Sequence, residues 1–97
     1  MLLVTKFDID ADLIDVPQSI IEQAKVYQEQ FFSWLFNENN NHKYWWYEKG
    51  KKVGCAYRSD AFIEWLNAFP LNDSMNKAKS VSVHVFEYDN TLPSLLF

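Results

Sequence analysis

The sequence predicts an α+β two-layer sandwich in the order β-α-β-β-α-β, with a mainly antiparallel four-stranded sheet and two helices on one face. Three observations carry that expectation. Period-two alternation marks stretches near both ends of the chain, helical spacing marks two internal stretches, and an aromatic, Gly-turned pair of strands lies between the helices. Apolar residues make up 48% of 97, enough to bury the core of one domain spanning residues 1–97 and too few to supply a second.

Leu3, Phe7 and Ile9 alternate with Lys6 and Asp8, so residues 2–9 read as a half-buried strand. Residues 10–17 read as a short acidic connection. Pro17 suits the first turn of a helix, where its missing N–H has no partner to lose, and Asp15 lies where a helix N-terminus favours negative charge. Ile20, Ala24, Tyr27, Phe31 and Trp34 or Leu35 then recur at helical spacing, which predicts one amphipathic helix from Pro17 to about Phe36. The Asn-rich run 37–41 stops it. Residues 43–57 read as a hairpin turning at Lys49-Gly50-Lys51, with Gly50 supplying the positive φ. Ser59 reads as the N-cap of a second helix carrying Ala61, Phe62, Trp65, Leu66 and Phe69, ended by Pro70. Val81, Val83 and Val85 alternate with Ser80, Ser82 and His84 in a last strand over 79–88, and the apolar tail 92–97 is expected to dock on the core.

Charge is uneven. Residues 1–42 carry a net −5, residues 43–58 a net +4 and residues 59–97 a net −3, giving −4 overall. An acidic whole disfavours generic nucleic-acid binding. One cysteine, Cys55, forms no internal disulfide and fits a reducing compartment. The absence of an apolar run near the roughly 20 residues of a membrane span, and of a signal-peptide pattern, points to a cytoplasmic protein with no membrane partner.

The candidate chemical motifs are mostly incomplete. Asp8, Asp10 and Asp12 alternate like the start of a calcium loop, yet Leu13 stands where that loop needs Gly and Ser19 where it needs Glu. Cys55, His42 and His84 fall short of a four-ligand zinc set, and Cys55 shares a strand face with Val53 and Tyr57 as a structural thiol. Gly50 and Gly54 form no phosphate loop. No enzyme, cofactor, metal or small-molecule substrate is expected. Two surface features remain. Asp8, Asp10, Asp12 and Asp15 read as one acidic docking surface at a strand end. Tyr44, Trp45, Trp46 and Tyr47 must split between two strand faces, so either Tyr44 with Trp46 or Trp45 with Tyr47 points outward as a binding anchor. With the neighbouring lysines, hairpin 43–58 also has the ingredients of a small nucleic-acid-binding or adaptor module, the alternative reading.

Val16-Pro17 opening a helix with Ala24, Tyr27-Gln28 and Phe31-Phe32-Ser33-Trp34-Leu35, then Tyr44-Trp45, then Tyr57-Arg58-Ser59-Asp60-Ala61-Phe62-Ile63-Glu64-Trp65-Leu66-Asn67, resemble a small immunity protein of the contact-dependent growth inhibition type over about residues 14–70. The resemblance implies a cytoplasmic bacterial antitoxin that binds one cognate toxin domain, commonly a nuclease, and blocks its active site by protein–protein contact. It carries no catalytic residue over.

Overall fold

The computed structural model describes residues 1–97 and is an α+β fold of nine elements. They are β1 (Leu2–Lys6), β2 (Ala11–Asp15), α1 (Gln18–Glu22), α2 (Ala24–Leu35), β3 (Trp45–Glu48), β4 (Lys51–Cys55), α3 (Ser59–Ala68), β5 (Lys79–Val85) and β6 (Ser94–Leu96). Four strands form one mixed sheet in the order β5-β2-β1-β6, and β3-β4 form a separate hairpin. The expected class and the four-strand sheet are present, but the strands that fill the sheet differ from those expected.

The expected acidic connection is β2. It pairs antiparallel with β1 in the register Leu3↔Ile14 and Thr5↔Asp12, so these four residues share a sheet face. Leu3 and Ile14 meet the helices there. The run was unreadable as a strand because Asp12 occupies an inward position that alternation reserves for apolar residues. The tail supplies the fourth strand: β6 lies parallel to β1, with Leu95 buried beside Thr5. Because β5 and β6 occupy opposite edges, the connection 86–93 crosses the sheet on the face away from the helices, where Lys6 lies over the Tyr88 ring at 5.9 Å.

Two corrections concern helices. The long helix expected over 17–36 is broken at Gln23, whose φ of −130° and ψ of 31° leave the helical region, giving α1 and α2 and three helices in all. No proline or glycine announces that break. The expected cap, Ser59, is instead the first residue of α3; Arg58 holds the extended cap position, and the Asp60 carboxylate accepts the backbone N–H groups of Arg58 and Ala61. The last strand ends at Val85, short of the expected residue 88.

The core sits between the helix face of the sheet and α1–α3. Phe31 is its centre, with ring centroids 5.2 Å from Phe62, 6.1 Å from Trp65 and 6.2 Å from Phe97. Edge-to-face and tilted rings are the geometry aromatic pairs prefer, so the many aromatics lock the layers as well as filling them. Hairpin β3-β4 turns through Lys49 and Gly50, both at positive φ, as a two-residue loop requires. It is fastened at its base. There Trp45 donates to the Asn40 carbonyl and stacks on His42 at 5.1 Å, and nearer the turn Lys52, opposite Tyr47, reaches the Glu38 carbonyl and Asn41. No helix is long and apolar enough to cross a membrane.

Candidate functional site

The densest polar constellation lies where the β1–β2 turn, the N-terminus of α3 and the end of β5 converge. Asp12 is fully buried, a cost that a carboxylate bears only when every lone pair finds a donor. Five donors meet it. Arg58 grips it two-pronged, Nη2 to Oδ1 at 2.7 Å and Nε to Oδ2 at 3.3 Å. Ser59 donates its hydroxyl at 2.6 Å and its backbone N–H at 3.3 Å to Oδ2, and His84 donates its backbone N–H at 3.0 Å to Oδ1. Burial pushes the Asp12 pKa up, but the donors from Arg58, Ser59 and His84 outweigh it and hold the group at about 2.

Each donor is aimed by local backbone structure. Ser59 opens α3, so its N–H is one of the groups a helix leaves unpaired, and Asp12 satisfies it from another element. Strand β5 is bulged opposite Asp12: Ala11 pairs with Val85 and Leu13 with Ser82, leaving Val83 and His84 against one residue. His84 takes a left-handed φ of 54° there, which turns its N–H out of the ladder and onto the carboxylate. Its ring Nδ1 meets Asp10 Oδ2 at 2.9 Å, and Arg58 Nη2 reaches Asp10 Oδ1 at 2.8 Å. These contacts, His84 first, lower the Asp10 pKa. The Arg58 guanidinium lies 4.4 Å above the Phe7 ring, so one face is dry while its edge is hydrogen-bonded.

Ser, His and Asp therefore meet, but not as a nucleophile with its base. The Ser59 hydroxyl is buried and donates to Asp12, and His84 points at Asp10. What the cluster does is fix the turn above it. The Phe7 N–H donates to the Asp10 carbonyl at 2.8 Å and closes a two-residue loop, Asp8-Ile9. Ile9 is 80% exposed and Asp8 is exposed, with no ion-pair partner. Beside the loop runs a cleft of about 1060 Å³ with Phe7, Tyr57, Val83 and Phe97 on its walls and Asp8, Asp60 and His84 among its polar residues.

The four carboxylates expected as one acidic surface are thus divided. Asp8 projects, Asp10 and Asp12 face inward, and Asp15 lies at the other end of β2, bonded to the Met1 amino group at 2.7 Å. The four aromatics are divided by distance from the body and not by face. Tyr44 is buried and donates to Glu64, Trp45 is half-buried, and Trp46 and Tyr47 are both exposed, with the register shift between them breaking the alternation and no sheet packed on the hairpin. Sequence reasoning missed Arg58, Ser59 and His84 as a functional unit; the one available signal is that Arg58 is the chain's single arginine. Cys55 is half-buried with its thiol against the Leu35 carbonyl, and burial raises its pKa, away from a reactive thiolate. Comparisons of the chain with protein-family models, curated proteins and solved structures find no match.

Proposed function

We propose that the chain is an immunity protein: a cytoplasmic inhibitor that binds a cognate toxin domain, a nuclease by class, and blocks its active site. The observation that carries this reading is the Asp8-Ile9 loop, an exposed carboxylate beside an exposed branched apolar side chain, seated on the Asp10–Asp12–Arg58–His84 cluster. A rigid projecting loop loses little freedom on docking, so its contacts go into affinity. A carboxylate at its tip suits a cleft built to attract phosphate, and Ile9 supplies the desolvated anchor. The overall charge of −4 steers the same encounter.

The test is co-expression with the C-terminal domain of a large secreted protein encoded beside this gene. A stable 1:1 complex that abolishes toxicity, weakened about tenfold or more by Ile9→Ser with Asp8→Asn, is the expected result. A toxin domain that neither binds the chain nor is neutralised by it contradicts the proposal.

A further inference from the structure

The cleft and the hairpin are complementary features of one chain. The cleft's lining residues include Asp8, Asp10, Asp12 and Asp60 against Arg58 and His84, so it is acidic over apolar walls. Asp8 and Asp60 face solvent and take no part in any ion pair. The hairpin tip has the opposite character. Lys49 and Lys51 are exposed and unpaired, and beside them Trp46 is 58% and Tyr47 49% exposed. A two-stranded hairpin held to the body only by the 38–42 loop against Trp45 and Lys52 is marginal in water, and the large aromatics left exposed on it point to an occupant.

The connection between the two features sets the geometry. Strand β4 runs from the tip directly into Cys55, Ala56, Tyr57 and Arg58, which form one wall of the cleft. The tip therefore stands about 17 Å from its own cleft, five strand residues away, and points from it. It reaches an equivalent cleft only on another molecule. We propose that the cleft is occupied by the β3-β4 hairpin of a second copy of this chain, each hairpin seated in the other's cleft about a two-fold axis. Exchange of this kind closes on itself, so it stops at a dimer. Lys49 and Lys51 meet Asp8 and Asp60 at the rim, while Trp46 and Tyr47 cover the apolar walls.

The inference does not rest on the toxin reading: a second copy and a toxin domain compete for Asp8, so a 1:1 toxin complex forms from the monomer, and the test of the dimer needs only this chain. Sedimentation equilibrium is expected to give twice the 11.5 kDa chain mass at tens of micromolar concentration, dissociating as salt rises. Lys49→Glu with Lys51→Glu weakens the dimer about tenfold or more, and so does Asp8→Lys, with far-ultraviolet circular dichroism unchanged in each. Mixing those two variants restores a heterodimer, because one of its two pairings is then native and in the other the introduced glutamates meet the introduced lysine. Monomer up to about 1 mM overturns the proposal, as do a dimer indifferent to the lysine reversals and a failure of the mixture to pair. A monomer whose hairpin lysines instead bind a single-stranded oligouridine overturns it in favour of a nucleic-acid surface.

Discussion

Residues 8–15 and residues 44–57 exchange the places their compositions predict. The first holds four aspartates and reads as a solvated connection, yet it contains a central strand with a carboxylate more deeply buried than most of the aromatics. The second holds five aromatics and reads as part of the main sheet, yet it stands outside that sheet with Trp46 and Tyr47 in solvent. Burial here follows the partners a side chain finds. Asp12 finds five donors; Trp46 finds no second layer.

The sharpest break of that comparison is to remove the donors' common acceptor. Asp12→Ala strands Arg58, Ser59 and the His84 N–H, and urea unfolding is expected to show a loss of about 3–5 kcal/mol. Asp8→Ala, on the same stretch, changes stability by no more than about 0.5 kcal/mol. Equal effects of the two would dissolve the distinction between buried and projecting aspartates. In the hairpin the order reverses along the chain. Tyr44→Ala empties a buried site and frees Glu64, for a loss of about 3 kcal/mol, while Trp46→Ala and Tyr47→Ala each cost less than about 1 kcal/mol.

Acid sharpens the comparison further. The Asp12 carboxyl titrates near 2 when folded and near 3.8 in its unperturbed form, so between those values the unfolded chain takes up a proton that the folded chain refuses. The resulting stabilisation, about 2–3 kcal/mol, is complete above pH ~5 and is lost as pH falls toward 2. Asp10, also lowered, acts in the same direction. Denaturant midpoints measured across this window should slope steeply in the wild type and more gently in Asp12→Asn. The smallest effect falls on the loop: Ile9→Ser leaves the unfolding midpoint within error while reducing affinity for a toxin partner.

The elements legible in the sequence are those whose own side chains state their environment. The Phe31 face of α2, the Pro70 stop after α3 and the Lys49-Gly50 turn are local facts, and the structure contains each, whereas the alternating strand expected over 2–9 is cut back to Leu2–Lys6, with Leu3, Val4 and Thr5 all buried and Ile9 exposed in the turn beyond. What was not legible depends on distant residues. Strand β2 requires knowing that Arg58, 46 positions away, neutralises Asp12; the fourth sheet strand requires knowing that the tail reaches β1. The bulge at His84 is likewise invisible, since Val-His-Val continues the alternation without interruption. Of the candidate site, the aspartates were found by composition, but their division into one projecting, two internal and one remote group is a consequence of pairing register.

Native-state hydrogen exchange tests the exchanged places most directly, because it reports on both segments in one sample. The β2 amides paired with β1 are expected to exchange only through global unfolding, with opening free energies equal to the stability measured by urea. In the monomer, at concentrations below those at which two copies associate, amides of β3 and β4 beyond Trp45 are expected to exchange through local opening, far faster and with little response to mild denaturant. Protection of the hairpin equal to that of β2, or rapid exchange across residues 11–15, would contradict this account.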